Sequence, residues 1–252
     1  MTTIAFLGTG LMGTGFVQRA RANGLTVRVW NRSAAKAQAL AAKDSGVTAC
    51  ATVAQAVQGA ERIHLSLADD ASVDAVLEPL AGALPAGAWV VDHTTTAVRP
   101  TAERVARWDA RGVRYVHAPV FMAPANCAEG TGYMLISGDP AWHEALQSAL
   151  KVMTGSVVYL GPQPERAAAF KLFGNLTLLG ILGILGDVGR LAAAVGIEMK
   201  DAFSLFEHFN PGQTLPVRAK RISSGVYEPP SFKMSMARKD LRLMAAAMRV
   251  PG

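Results

Sequence analysis

A glycine-rich hexapeptide near the start of the chain has the residue types and spacing of a dinucleotide-binding turn. Gly8, Gly10 and Gly13 follow a short apolar segment, residues 4–7, and precede a helical pattern. The first glycine permits a tight turn, the second lets the backbone approach a pyrophosphate, and the third allows close packing of helix on strand. The amides at the helix start face the negative charge. We therefore predict a cofactor-binding loop made of Gly8, Thr9, Gly10, Leu11, Met12 and Gly13.

The residues after the second strand candidate indicate which dinucleotide binds. Asn31, Arg32 and Ser33 follow the apolar segment 25–30, where an NAD-specific site has Asp or Glu to accept hydrogen bonds from ribose hydroxyls. A guanidinium instead gives a 2′-phosphate two charge-assisted hydrogen bonds, and Asn31 and Ser33 can add neutral ones. We expect NADP as cofactor, with NADPH preferred over NADH. In the alternative interpretation Arg32 stacks on adenine in a site that still prefers NAD.

A second set of residues suited to chemistry lies far along the chain. Lys171 and Asn175 are four residues apart in a helical pattern, so both project from one face. Phe170 and Phe173 make their surroundings apolar, and desolvation lowers a lysine pKa toward the range useful for proton transfer. The alternative is a lysine that extends to water from an interface, beside a helix-capping asparagine.

Strand candidates alternate with helix-length segments over the first two thirds of the chain. Such alternation requires crossover connections and a mainly parallel sheet covered on both faces. The sequence therefore predicts an α/β fold whose first domain is a Rossmann domain. The strand candidates are residues 4–7, 25–30, 62–67, 89–92, 114–117, 133–137 and 156–159.

The pattern changes after Pro162 and Pro164, which mark a predicted boundary and the start of a helix. A long helical segment follows, ends at Gly196, and is succeeded only by further helices. We predict a Rossmann domain at residues 1–161 and an all-α C-terminal domain at residues 162–252. The helical segments of the second domain are 165–195, 201–209, 216–223 and 232–248.

Composition excludes several classes of protein. With 50% hydrophobic and 17% charged residues, the 252-residue chain is globular rather than disordered. The net charge of +6 comes from basic residues scattered singly, without the interleaved aromatic side chains of a nucleic-acid surface. Cys50 and Cys127 lie far apart, and the histidines show no ligand spacing, so we predict no metal. His93 and His117 lie at strand ends that face the predicted cleft. We favour the interpretation that both are loop histidines with their hydrogen bonds satisfied within the protein over contacts with substrate or cofactor.

Two features bear on location in the cell. The N-terminus has no basic segment followed by an apolar run, so no signal peptide is predicted. The longest apolar run, residues 176–186, is shorter than the about 20 residues that cross a bilayer. We expect a cytoplasmic protein that binds neither membrane nor nucleic acid.

The order and spacing of four blocks resemble the β-hydroxyacid dehydrogenases, relatives of 3-hydroxyisobutyrate dehydrogenase and of tartronate, glyoxylate and succinic semialdehyde reductases. The first block is the glycine loop together with residues 31–33, and the last begins with Lys171–Asn175. Between them lie Leu67-Ala68-Asp69-Asp70, Asp92-His93-Thr94-Thr95-Thr96, Ala118-Pro119-Val120 and Ala128-Glu129-Gly130-Thr131, and beyond Asn175 come Phe232 and Lys239-Asp240-Leu241.

This resemblance implies roles for several residues. Lys171 would donate a proton to a carbonyl oxygen while hydride arrives from nicotinamide, and Asn175 would hold substrate and lysine in line. The second domain would bind substrate and join two subunits into a homodimer through the helix that carries Gly180, Gly183 and Gly186. The further cofactor contacts would be Leu67, Ala68, Asp69, Thr95 and Lys239.

The substrate loop departs from the family. Ser-Gly-Gly usually follows Ala-Pro-Val, but this chain has Phe121, Met122 and Ala123, which favour a bulkier or less polar carbonyl compound. With Phe232 these are the predicted substrate-binding residues. Met122-Ala123-Pro124 resembles the loop of imine reductases, which also use NADPH but usually carry Asp, Tyr or another residue in place of Lys171. Members of the resembled family usually continue for some tens of residues beyond Lys-Asp-Leu, so the second domain is shortened in this sequence, either naturally or because a segment is missing.

The sequence thus predicts an NADP-dependent oxidoreductase. It would transfer hydride between nicotinamide and a small carbonyl or β-hydroxyacid-type substrate such as a semialdehyde, a 2-keto acid or a ketone. Two alternatives stay open: an imine reductase, and a non-catalytic NADPH-binding sensor.

Overall fold

The computed structural model describes residues 2–85 and 87–248 and contains two compact units, Met1–Asn175 and Leu176–Gly252. The first unit includes the start of the long helix that the sequence analysis assigns to the second domain. The functional boundary at residues 161 and 162 stays a prediction.

A six-stranded parallel sheet forms the centre of the first unit, with the strand order β3-β2-β1-β4-β5-β6. This confirms the predicted Rossmann architecture, because the order reverses beside β1, where dinucleotides bind. The strands are β1 (Thr3–Leu7), β2 (Thr26–Trp30), β3 (Val47–Ala49), β4 (Arg62–Leu65), β5 (Trp89–Asp92) and β6 (Arg114–His117), and the helices are α1 (Leu11–Ala22), α2 (Ala34–Ala41), α3 (Val53–Val57), α4 (Asp70–Leu77) and α5 (Val98–Asp109).

A smaller three-stranded sheet follows in the same unit. It consists of β7 (Val120–Phe121), β8 (Tyr133–Ile136) and β9 (Ser156–Tyr159), with β7 antiparallel to β8 and β9 parallel to it. Helix α6 (Pro124–Glu129) follows β7, and α7 (Pro140–Lys151) precedes β9. Strands β3 and β7 were not predicted, since three and two residues are too few to show an alternating pattern.

Side chains of the large sheet fill two apolar layers, one on each face. Ile4 and Phe6 enter one layer and Ala5 and Leu7 enter the other, because successive strand residues point to opposite faces. All four are 0% exposed. The glycine loop therefore extends from a strand that is packed on both sides.

Helices α4 and α5 are held together by a ladder of ion pairs. The buried Arg104 pairs with Asp70 at 2.9 Å and with Asp74 at 2.8 Å. Arg107 joins Asp74 to Glu78 at 2.7 and 2.8 Å. Because carboxylates one turn apart on α4 face guanidinium groups on α5, the ladder fixes the two helices side by side.

Helix α8 (Arg166–Ala194) is a single helix of 29 residues, and α9 (Met199–His208), α10 (Leu215–Ser224) and α11 (Met234–Ala247) follow it. The predicted helical segments are confirmed to within two residues at each end. Within the described residues 176–248, only Gly189 and Ala192 are buried. The second unit therefore has very little apolar core of its own.

The apolar part of α8 is longer than the run 176–186 on which the sequence analysis based its membrane prediction. Lys171 and Asn175 interrupt the apolar run without ending the helix, which contains an 18-residue window of mean hydropathy 1.8. By length and composition alone α8 is able to cross a membrane. Only 6% of that window is buried, so most of the apolar surface of the helix is exposed.

Candidate active site

The glycine loop is shaped by two positions that admit no side chain. Gly8 has φ +98°, and a Cβ atom there would lie 2.3 Å from the carbonyl oxygen of Ser66. A Cβ atom on Gly13 would lie 2.0 Å from the carbonyl oxygen of Gly8. At Gly10 the same construction meets nothing within 4 Å. The loop is thus tight where it turns and where the helix meets the strand, and open where a pyrophosphate approaches.

The N-terminus of α1 fits an anionic ligand. Its N-cap residue Gly10 makes no side-chain capping bond, and its first turn holds no acidic residue. The amides of that turn are therefore available to a phosphate, and the helix dipole favours the charge. The amide of Thr9 donates to Oδ1 of Asn31 at 2.9 Å, which ties the loop to the end of β2. These residues fit the predicted dinucleotide.

The edge predicted to recognise the 2′-phosphate carries opposite charges. Asn31 is occupied within the protein, because its Nδ2 also donates to the carbonyl oxygen of Ser33 at 3.0 Å. Arg32 is exposed. Hydrogen bonds from Ser72 lower the pKa of Asp69, and the nearby Arg32 guanidinium lowers it further. Arg32 and Asp69 therefore lie on the same edge of the sheet.

Lys36 on α2 was missed by the sequence analysis. It lines a depression of about 430 Å³ beside the glycine loop, together with Thr9, Gly10 and Leu11. The signal that could have identified it is its position four residues after Arg32, in the first turn of the helix that follows.

A cavity of about 240 Å³ lies at the carboxyl ends of β4 and β5, where ligands bind in open α/β sheets. It gathers residues from α1, from the ends of β4, β5 and β7, and from α8, all within the first unit. Three predicted cofactor residues are therefore brought together with the predicted proton donor. The lining residues are Met12, Phe16, Ser66, Leu67, His93, Thr94, Thr95, Val120, Met122 and Lys171.

Lys171 is the one positively charged side chain among the described lining residues. Burial lowers its pKa, as the apolar surroundings in the sequence predicted. Its Nζ lies 4.3 Å from the centroid of the Phe121 ring. Asn175 is half-buried one turn further along α8 and is the last residue of the first unit.

A buried carboxylate positions the wall of the cavity. Asp92 accepts a hydrogen bond from the hydroxyl of Tyr115 at 2.6 Å and another from the amide of Thr94 at 2.9 Å. The Thr94 hydroxyl accepts from the amide of Leu67 at 3.0 Å, so the ends of β4 and β5 are joined. Tyr115 lies on the neighbouring strand β6, and sequence spacing offers no signal for this contact.

His93 lines the cavity with both ring nitrogens occupied. Its Nδ1 carries the proton, because it donates to the carbonyl oxygen of Ala118 at 2.7 Å. Its Nε2 then accepts from Nδ1 of His64 at 3.0 Å. Burial lowers the pKa of His93 to about 4. His117 donates to the carbonyl oxygen of Thr94 at 2.8 Å. Both histidines are buried and hydrogen-bonded within the protein, the interpretation that the sequence favoured, but only His93 is among the lining residues of this cavity.

The three residues of the substrate loop are placed differently. Met122 lines the cavity. Phe121 packs against α8, and a Cβ atom on Gly174 would lie 2.2 Å from its Cζ. The amide of Ala123 donates to Oδ1 of Asn126 at 2.8 Å at the start of α6.

Phe232 and Lys239 lie in the second unit. Phe232 is 54% exposed and precedes α11. Lys239 lies within α11 and its Nζ pairs with Oδ1 of Asp240 at 2.8 Å. Their contacts with substrate and cofactor stay predictions. Within residues 2–85 and 87–248 there is no group of three His, Cys, Asp or Glu side chains able to hold a metal.

Comparison with known proteins identifies the family to which this fold and site belong. The family model described as the NAD binding domain of 6-phosphogluconate dehydrogenase matches residues 3–161. The chain belongs to this family. The glyoxylate/succinic semialdehyde reductase 1 of Arabidopsis thaliana is 25% identical over 249 residues, which cover 96% of this chain and 84% of that protein. The predicted resemblance to the β-hydroxyacid dehydrogenases is thereby confirmed.

Solved structures that are similar to this chain include imine-reducing enzymes. The imine reductase of Streptomyces aurantiacus is 25% identical, with a TM-score of 0.86 over 98% of this chain and 87% of that one. The reductive aminase of Aspergillus terreus, in complex with NADPH and ethyl levulinate, is 26% identical, with a TM-score of 0.86 over 98% and 86%. The resemblance of the substrate loop to imine reductases thus extends to the whole fold.

A further relative is a longer protein. The cytokine-like nuclear factor N-PAC of Xenopus tropicalis is 30% identical over 251 residues, which cover 96% of this chain and 46% of N-PAC. The chain therefore spans less than half the length of this relative. Similarity to N-PAC concerns that matching part alone.

Proposed function

We propose that this chain is an NADPH-dependent reductase of a small carbonyl compound. The observation that carries the proposal is the position of Lys171. Its ammonium is half-buried in the cavity that also holds Met12, Leu67 and Thr95, three residues predicted to contact the cofactor. A cofactor-binding protein without chemistry needs no such lysine.

The proton chemistry rests on residues of the chain. Reduced nicotinamide supplies hydride when it is bound. Lys171 holds a proton on Nζ and delivers it to the carbonyl oxygen of the substrate as negative charge develops there. Its lowered pKa brings the proton donor closer to neutral pH, where proton transfer is most efficient. Asn175, one turn away, holds the substrate.

Arg32 supports the preference for NADPH over NADH. It is exposed at the end of β2, where a carboxylate would repel the 2′-phosphate. Lys36 adds a second positive charge on the adjoining helix. The reductive aminase of Aspergillus terreus, which was solved with NADPH, supports the same assignment.

The substrate class follows from the cavity wall. Met122, Val120 and Phe16 present apolar surface, and Lys171 is the single cation among the described lining residues. We infer a semialdehyde, a 2-keto acid or a ketone as substrate, and the named activity of the Arabidopsis reductase supports this class. Imine reduction is the second candidate, favoured by the structural likeness to the Streptomyces enzyme.

A second copy of the chain is the proposed cover for α8. Leu176, Leu179 and Leu182 are 71%, 65% and 64% exposed. A Cβ atom on Gly180 or Gly183 would meet nothing within 4 Å, so a neighbouring helix has room to approach closely. We infer a cytoplasmic homodimer rather than a membrane protein, because residues at the start of the same helix line the cavity of the first unit.

The test is a cofactor-oxidation screen over semialdehydes, 2-keto acids, ketones and cyclic imines. Lys171→Met should lower turnover of the best carbonyl substrate by about 10²–10⁴-fold while NADPH binding changes little. Lys151→Met on α7 is the matched control and should leave turnover unchanged.

Two results would contradict this function. Reduction of imines alone, at a rate that Lys171→Met leaves unchanged, would favour the imine reductase. Binding of NADPH without oxidation across the panel would favour the sensor.

A further inference from the structure

The ring of Phe121 lies directly on the backbone of α8. A Cβ atom built on Gly174 would lie 2.2 Å from Cζ and 2.4 Å from Cε1 of that ring. No residue larger than glycine fits at position 174 while the ring stays in place. The contact joins β7, which carries Phe121, to α8 at one defined point.

The same ring also contacts the ammonium of Lys171. Nζ lies 4.3 Å from the ring centroid, within the about 6 Å over which an aromatic face attracts a cation. Lys171 and Gly174 are three residues apart and share one face of α8. One aromatic side chain therefore lies against both the backbone of the helix and the charged group that the helix carries.

No described lining residue of the cavity offers Lys171 an opposite charge. From β5 the ring of His93 faces the cavity, but its nitrogens are bonded to Ala118 and His64, and its pKa of about 4 keeps it neutral. From α1 come Met12 and Phe16, and the remaining polar lining residues are the uncharged Ser66, Thr94 and Thr95.

Burial alone therefore lowers the pKa of Lys171, and it acts against the protonated form. The electron-rich face of Phe121 acts in the opposite direction, because it stabilises a cation and has no comparable interaction with a neutral amine.

We propose that Phe121 is a positioning residue for Lys171, whose ammonium it holds over its ring and keeps protonated in a cavity whose described lining residues offer no opposite charge. The proposal rests on the proposed function, in which Lys171 is the proton donor. Phe121 then acts on the reaction through the orientation and protonation of Lys171, in addition to any contact with substrate. The contact with Gly174, here called the seat of the ring, fixes the distance between the Phe121 ring and the backbone of α8.

The test reads Lys171 directly by NMR. The lysines are reductively methylated with ¹³C-formaldehyde, and the Lys171 signal is assigned by its absence from the Lys171→Arg spectrum. Methyl groups above an aromatic face give resonances shifted upfield, and their titration with pH reports the lysine pKa. In Phe121→Leu the upfield shift should disappear and the pKa should fall by about 0.4–1.5 units, because a cation–π contact contributes about 0.5–2 kcal/mol.

Two variants serve as controls. Phe121→Tyr retains an aromatic face and should keep both the upfield shift and the pKa. Phe170→Leu removes an aromatic ring next to Lys171 in the chain, but that ring lies under the guanidinium of Arg166, at 5.4 Å, and its loss should change neither quantity. An unchanged shift and pKa in Phe121→Leu would overturn the proposal, as would equal changes in Phe170→Leu.

Gly174→Ala tests the seat of the ring without altering the ring itself. The added methyl group displaces Phe121, so the upfield shift of Lys171 should be lost although the phenyl group is present. In the double variant Gly174→Ala with Phe121→Leu, the second change should add little to the first. Retention of the shift in Gly174→Ala would contradict the described seat.

Turnover separates this proposal from the proposed function. If Lys171 is the proton donor, kcat declines as pH rises through the pKa of Lys171. In Phe121→Leu this decline should occur at a lower pH than in the unmutated protein, by the same amount as the fall in the NMR pKa, while KM changes less. If the NMR pKa falls but the pH profile of kcat does not move, Phe121 positions Lys171 and the assigned proton donor is wrong. If neither moves, the role of Phe121 is wrong.

Discussion

The two units of this protein differ in how far their apolar side chains are buried. In the first unit Leu65 on β4 is 0% exposed, as are Ile4 and Phe6 on β1. In the second unit Leu179 and Leu182 of α8 are 65% and 64% exposed, although leucine gains the same free energy from burial in either place. The first unit closes its core within one chain, whereas the second leaves much of its apolar surface exposed.

The difference follows from the shapes of the elements. A parallel sheet with helices on both faces encloses the side chains of its strands without outside help. A helix that is apolar all round needs neighbours on every side, and α9, α10 and α11 also leave most of their side chains exposed. Chemistry built on the first unit should therefore be less sensitive to assembly than the fold of the second.

The largest expected effect concerns this surface. Leu182→Asp places a carboxylate in each copy of the proposed interface, and an unpaired buried charge costs several kcal/mol, so the dimer Kd should rise at least about 10³-fold. Sedimentation equilibrium measures the change, with Gln38→Asp on the exposed face of α2 as control. A monomeric unmutated protein at micromolar concentration would remove the basis of the comparison.

Next in size is the cost of core truncation. Leu65→Ala should lower the free energy of unfolding by about 2–5 kcal/mol, since it leaves a cavity in the first unit. Leu179→Ala should cost less than about 0.5 kcal/mol at concentrations where the monomer dominates. Urea unfolding at two protein concentrations checks both values. Equal costs in the dilute sample would show that α8 is packed within the monomer.

A smaller effect concerns the cofactor. Arg32→Ala should weaken NADPH binding by about ten- to a hundredfold, the size of a charge-assisted contact to phosphate, and leave NADH binding unchanged. Calorimetric titration measures both, with Lys43→Ala as control. Because the glycine loop lies in the first unit, Leu182→Asp should bind NADPH as the unmutated protein does. Equal affinities of the unmutated protein for the two cofactors would refute the role of Arg32.

The smallest effect is a dependence of stability on pH. A hydrogen bond from Arg104 is the main cause that lowers the pKa of Asp74 in the folded state. A depressed carboxyl pKa stabilises the fold above its unfolded value and ceases to do so as pH falls through the folded value.

Asp74→Asn should therefore lower the free energy of unfolding near pH 7 by up to about 1 kcal/mol, and this difference should shrink below about pH 4. Chemical unfolding from pH 7 to pH 3 follows it, with Glu144→Gln on exposed α7 as control. A difference that stays constant across this range would assign the effect to packing instead.

Local patterns in the sequence determined much of this protein. The strand, glycine turn and helix at residues 4–22 are contiguous, and Lys171 and Asn175 share a helix face through their spacing alone. Each of these inferences depends on residues a few positions apart, where backbone geometry fixes the relation. Counting the longest apolar run underestimated the length of the apolar stretch in α8, because a helix continues through the polar residues that interrupt the run.

Tertiary structure alone decided which distant residues meet. Tyr115 reaches Asp92 across neighbouring strands, His64 supports His93, and Phe121 lies between Gly174 and Lys171, more than 45 positions along the chain. No periodicity encodes these contacts, since they depend on how the sheet order brings separate segments to one edge. The residue types for the chemistry are therefore readable from the sequence, but the environment that tunes Lys171 exists only once the first unit has folded.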